Sequence, residues 1–207
     1  MTDDTIKFLT DIIKPWEKLN AELGTAYSMN PEISDFTNQA NSLAVCIKHI
    51  SEACQKIKPE VLIPQSRSYE IISDLADSSK HGELRKSGRE CKLSVSSMFE
   101  RNDDGKVRFL RCVITIEHNT YGKIDFMNYA MESAIFVSQI LNIQAKWYPK
   151  IHISEGGFSD EIKVHASASN QVAWKGMQLQ FVKVKENGEI ENVDLNSIIK
   201  FTLTSEF

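Results

Sequence analysis

Apolar residues recur every three or four positions through most of the first eighty residues. Ile6, Leu9, Ile12, Ile13, Trp16, Leu19 and Leu23 predict a helix over 3–23, with Asp3 or Asp4 as its cap and Gly24 as its stop. Pro15 stands inside that pattern. It has no N–H to donate and crowds the preceding turn, so the spacing predicts a kink, or two short helices meeting near Lys14. Asn30-Pro31 has the form of an N-cap followed by proline at the first helical position. The longest periodic run comes next: Ile33, Phe36, Ala40, Leu43, Ile47, Ile50, Cys54 and Ile57, ending at Lys58-Pro59. That helix is the expected spine of the fold. A short connector over 60–65 leads to a third helix over 67–81, with Gly82 as its stop. Ile71, Ile72, Leu75 and Ala76 fill one arc of it.

From Cys91 the period changes from about 3.6 to about 2. Cys91, Leu93 and Val95 alternate, Asn102-Asp-Asp-Gly105 is a turn signal, and 107–118 is rich in β-branched residues. A hairpin of 91–100 with 106–118 is expected. Tyr121-Gly122 breaks it, and Asp125 caps a helix carrying Met127, Ala130, Met131, Ala134, Val137 or Ser138, and Leu141. Trp147-Tyr148-Pro149 closes the first unit. Beyond it the pattern is β throughout: 150–154, 161–166, 176–185, 189–195 and 198–204, with Asn187-Gly188 as a hairpin turn. The expected class is α+β. An N-terminal helical bundle with an inserted β-hairpin (91–118) occupies 1–148, and a small antiparallel β region occupies 149–207.

Composition changes this picture little. Of 207 residues, 42% are hydrophobic and 25% charged, which suits a folded domain with a sizeable core. The net charge of −4 speaks against a protein devoted to non-specific nucleic-acid binding. It conceals a local excess: nine Lys/Arg against five Asp/Glu between Lys80 and Arg111 give +4, leaving −8 elsewhere. Such a segment is expected to bind nucleic acid weakly, with affinity falling steeply as salt rises. The four cysteines make no framework. Cys46 and Cys54 sit eight residues apart on one predicted helix, about 12 Å along its axis and too far to bridge. No Cys-x-x-Cys pair supports a zinc site. No apolar run is long enough for a signal peptide or a membrane span, so a cytoplasmic protein with reduced thiols is expected.

One stretch gathers acids, a histidine and an arginine. On the helix over 67–81, Glu70, Asp74, Asp77 and His81 share one stripe opposite the apolar arc, with Arg67 beside them. The stripe spans about 16 Å, so a tight metal site would use Asp74, Asp77 and His81 and would need ligands from a second helix. The bland alternative is the solvated polar face of an amphipathic helix. No second Glu-x-x-His pair exists on another predicted helix, and no metal or cofactor is expected. The chain also lacks a Gly-x-Ser-x-Gly elbow, and Gly156-Gly157 has no following helix to cradle phosphate. His49, between core positions Ile47 and Ile50, is expected to be a flank residue rather than a ligand, and His152 and His165, on predicted strands, to be structural.

The run Asp74-Leu-Ala-Asp77-Ser-Ser-Lys80-His81, after long helices and before a hairpin and a helix, resembles an Asp-x-Ala motif closed by Lys-His. That motif occurs in uncharacterised bacterial HEPN-like helical proteins, and the resemblance covers roughly 1–145. It implies a helical fold, a homodimer, and contact with RNA or a protein partner. Asp77 stands where the family has asparagine. HEPN ribonucleases carry an arginine followed, after four to six residues, by a histidine. For His81 that arginine would stand at 74, 75 or 76, which are Asp, Leu and Ala. Only Arg111 and His118 have the spacing, on a predicted strand where an odd offset points them to opposite faces.

Three functions follow. The first is a non-catalytic HEPN-like accessory module of a defence or mobile-element system, binding protein or RNA through Arg67, Glu70, Asp74, Asp77, Arg85 and Arg89. The second is a metal-independent ribonuclease using Lys80 and His81. The third is a metal- or small-ligand-binding enzyme built on the acidic stripe.

Overall fold

A computed structural model describes residues 2–25, 33–81, 88–167, 178–193 and 200–206, with the backbone alone for 33–34, 80–81, 163–167 and 200–206. The Asn30-Pro31 cap, the Gly82 stop and Arg85 lie outside the described residues.

The class is α+β, with helices first and a mixed sheet after them. Helix α1 (Asp3–Phe8) runs into a π-helical stretch (Leu9–Ile13) and then α2 (Lys14–Leu23). The predicted break at Lys14 takes this form: the Lys14 N–H reaches back five residues to the Leu9 carbonyl. The wider turn just ahead of Pro15 absorbs the missing donor without ending the helix. Helix α3 (Ile33–Gln55) is the long spine. The expected connector is instead partly helical, α4 (Pro59–Leu62) followed by a 3-10 turn (Ile63–Gln65), because Pro59 suits a first helical position. Helix α5 (Arg67–His81) spans the predicted range. Strands β1 (Cys91–Arg101) and β2 (Val107–His118) form the predicted hairpin around Asn102–Gly105. An unpredicted strand, β3 (Gly122–Asp125), folds back antiparallel onto the end of β2. The Asp125 carboxylate then accepts the Asn128 N–H at 2.8 Å and caps α6 (Phe126–Ile140), as expected.

The remaining strands are β4 (Glu161–Ser167), β5 (Gln178–Val184), β6 (Ile190–Asn192) and β7 (Lys200–Glu206). The expectation of an antiparallel C-terminal region is corrected here. β5 pairs parallel with β1, setting Phe99 opposite Phe181, and β4 pairs parallel with β7. Only β5 and β6, joined by the Asn187-Gly188 turn, are antiparallel among these strands. That turn carries its own signal: Gly188 has φ +82° and Asn187 Oδ1 accepts the Glu189 N–H. Strands that pair across long stretches of chain carry no such mark. The larger sheet runs β3-β2-β1-β5-β6, and the stretch expected as a strand over 150–154 is irregular. No helix of the described residues is long and apolar enough to cross a membrane.

The chain divides into two compact units: Met1–Ala21, Phe36–Ser94 and Ile114–Ile151 form one; Glu22–Asp35, Val95–Val113 and His152–Phe207 form the other. In the first, Phe8, Ile12, Trp16, Leu19, Phe36, Leu43, Ile47, Ile71, Ile72, Phe126 and Met127 make a fully enclosed helical core. Trp16 donates its indole N–H to the Met127 carbonyl at 3.1 Å and meets Trp147 edge-on at 5.3 Å. In the second, Val107, Ile162 and Phe181 are buried, with Phe99 and Leu179 packed against them. There the His152 ring lies so close over Gly24 that an added Cβ would stand 2.1 Å from its Cδ2, so only glycine fits.

Candidate functional site

Helix α5 is the hub of the helical unit. Ser66 caps it, its Oγ accepting the Tyr69 N–H at 3.3 Å. Every residue from Ile71 to Ala76 is buried, so the middle of this helix is covered at Ser73 and Asp74 as well as on its apolar arc. Buried polar groups must find partners, and the stripe does so within the chain.

Asp74 is 1% exposed. One carboxylate oxygen takes an ionic hydrogen bond from the Arg89 guanidinium. The other lies 3.3 Å from Nε2 of His118, a residue at the end of β2 that is itself buried. On the far side of that ring, Nδ1 accepts the backbone N–H groups of Thr120 at 3.0 Å and Tyr121 at 3.3 Å. A nitrogen that accepts two amides carries no proton, so the proton sits on Nε2 and is donated to Asp74. Tyr121 stacks obliquely on the same ring at 4.8 Å and donates its hydroxyl to Glu70 at 3.0 Å. Arg67 lies over the Tyr121 ring, 4.5 Å from its centre. Asp77 is paired with the ammonium of Lys48 on α3, and the Lys48 carbonyl accepts the Tyr69 hydroxyl at 2.6 Å.

The electrostatics follow from this enclosure. The hydrogen bond to Asp74 raises the Arg89 guanidinium pKa, against a smaller opposing effect of burial. Burial first, and the Asp74 charge second, push the Cys91 thiol up to about 12, so it stays protonated and is a poor nucleophile. Burial likewise lifts the Tyr69 phenol to about 12. The bond to Glu70 raises the Tyr121 phenol.

The structure therefore brings together Arg67, Glu70, Asp74 and Arg89, and sends Asp77 to a separate partner on α3. Lys80 and His81 form the end of α5, but their side chains lie outside the described residues. Among the described residues, no three His, Cys, Asp or Glu side chains gather closely enough to hold a metal ion. The basic segment is interrupted too. Arg89 meets Asp74, Arg108 donates to Glu100 at 2.5 Å, and Arg111 is buried with its Nε on the Cys112 carbonyl. Lys92 and Lys106 are exposed. Sequence reasoning missed the roles of His118, Tyr121 and Lys48. Asn-Thr-Tyr-Gly after His118 marks a turn, but nothing local ties that histidine to an aspartate 44 residues earlier.

No family model matches the chain, and no curated protein or solved structure shows significant similarity to it.

Proposed function

We propose that the chain is a non-catalytic, HEPN-like accessory module that acts by binding a protein. The observation that carries this reading is the closed state of the Asp74–His118 pair. A general base needs a ring nitrogen free to take a proton from a substrate, and both nitrogens of His118 are committed inside the fold. Glu70, Asp74 and Asp77 are likewise engaged by Tyr121, Arg89 and Lys48. A protein partner is favoured over RNA because the overall charge is −4 and Arg89 and Arg108 are each neutralised by a carboxylate. The family resemblance adds a second copy of the chain as one such partner.

The test is incubation with end-labelled single-stranded RNA. The expected result is intact RNA, bound weakly and losing affinity steeply as salt is raised from about 50 to about 200 mM. Cleavage that disappears in His81→Ala would overturn the reading in favour of a ribonuclease using Lys80 and His81. Tight, salt-insensitive RNA binding would overturn the preference for protein.

A further inference from the structure

We infer that Arg67 is the anchor of a carboxylate-binding site, and that the acidic side chains of a partner protein are what it takes. This rests on the binding-module reading above. Arg67 is exposed, and among the described residues no carboxylate closes on it as an ion pair. Its guanidinium is nevertheless placed: it lies 4.5 Å from the centre of the Tyr121 ring. An arginine resting on an aromatic ring gives up little hydrogen bonding, because its N–H donors lie in the guanidinium plane and remain available at its edge. Its conformational freedom is restricted before any ligand arrives, which lowers the entropy cost of binding.

The platform is itself held from below. Glu70 accepts the Tyr121 hydroxyl, the His118 ring packs on the Tyr121 ring, and the backbone N–H of Tyr121 is donated to His118 Nδ1. His118 is in turn fixed by Asp74, and Asp74 by Arg89. A chain of contacts thus runs from a buried charged pair to one open arginine fork. A single guanidinium matches one carboxylate in charge and in two-pronged geometry. It suits a phosphate backbone less well, since a run of phosphates calls for several cations and the nearby Arg89 is already neutralised by Asp74.

The experiment follows by NMR the Arg67 side-chain Nε–H and the backbone amide of residue 121 in the full chain, the amide serving as the readout in the variant that lacks the arginine. Acetylated tetraglutamate amide is titrated in, with tetraglutamine amide as the uncharged control and a ten-nucleotide oligouridylate as the phosphate probe. The expected result is a saturable shift with tetraglutamate alone, weakened about tenfold in Arg67→Lys, which keeps the charge and loses the fork. Tyr121→Leu should weaken it similarly and Tyr121→Phe less, because the phenyl ring still underlies the guanidinium. A stronger response to oligouridylate would overturn the inference in favour of nucleic acid. No response to any probe, with the rest of the spectrum unchanged, would also overturn it. The second result leaves the module reading standing, since that fails on His81-dependent RNA cleavage, and the first bears only on its preference for a protein partner.

Discussion

The cluster around α5 in the helical unit and the outer strand pairs of the sheet unit hold their charges in different ways. In the helical unit, Asp74 and His118 have side chains 1% exposed, and Lys48 meets Asp77 with its ammonium largely buried. In the sheet unit, Lys183 meets Asp103 at 2.5 Å with the two side chains 48% and 86% exposed, and Lys185 meets Glu191 at 3.3 Å in a similar setting. Water competes with each of these outer pairs and salt screens them, so their net effect is small. The inner pairs have no such substitute. A buried pair need not stabilise the fold relative to apolar residues, but breaking it strands a charge. The charges of the α5 cluster therefore specify where α5, β2 and the β2–β3 turn meet, while the Lys183–Asp103 and Lys185–Glu191 pairs decorate strands placed by Phe99, Val107, Ile162 and Phe181.

The strongest way to break this contrast is Asp74→Ala. Removing the carboxylate leaves the Arg89 guanidinium half-buried and the His118 Nε2 proton without an acceptor. A loss of about 3–5 kcal/mol is expected in urea unfolding. A loss under about 1 kcal/mol would mean that the cluster is hydrated in solution and that the two units do not differ in this respect.

A smaller effect sharpens the contrast through pH. The Tyr69 phenol is buried, donates to the Lys48 carbonyl, and titrates near 12 rather than its usual 10.0. For an acid whose folded pKa is raised, the native state holds its proton longer than the unfolded state. The stabilisation is therefore complete below the unfolded pKa and is lost as pH rises through the folded one. Between pH of about 10 and about 12, stability should fall by roughly 2–3 kcal/mol on this account, and Tyr69→Phe should remove that part of the decline. Cys91, raised to about 12 from 9.0, adds to the decline in the same direction, beginning about a unit lower. Thermal melts of wild type and Tyr69→Phe across this range provide the measurement. Parallel curves for the two proteins would remove Tyr69 from the explanation.

Much of this architecture is legible in the chain before folding, and the reason is locality. The range of α5 follows from Ile71, Ile72, Leu75 and Ala76; the α6 start follows from Asp125; the β5–β6 turn follows from Asn187-Gly188. Each is a relation among residues within a turn or two of one another. What stayed hidden is non-local. The parallel pairing of β4 with β7 joins residues more than thirty positions apart, and alternation reads the same whichever direction the neighbour runs. The stripe on α5 was visible as a stripe. That Asp74 is enclosed and its neighbours Glu70 and Asp77 are engaged depends on Lys48, Arg89, His118 and Tyr121, which arrive from four other segments.

The smallest expected effect is in the sheet unit, at Asp103→Ala. Lys183 donates to Asp103, and that bond, with the charge behind it, raises the Lys183 pKa. Lys183 is nonetheless about half exposed and Asp103 more so, so its ammonium is as well served by water as by the carboxylate. The substitution should leave the urea midpoint within error of wild type, and raising salt should bring the two curves closer still. The hairpin around Asn102–Gly105 should also persist. Its turn is held by the Asn102 N–H on the Lys106 carbonyl and by the Lys106 N–H on Asn102 Oδ1, neither of which involves Asp103. A clear loss of stability in Asp103→Ala would show that an exposed pair in this unit acts as the buried ones do, and the distinction between the two units would then have to rest on packing alone.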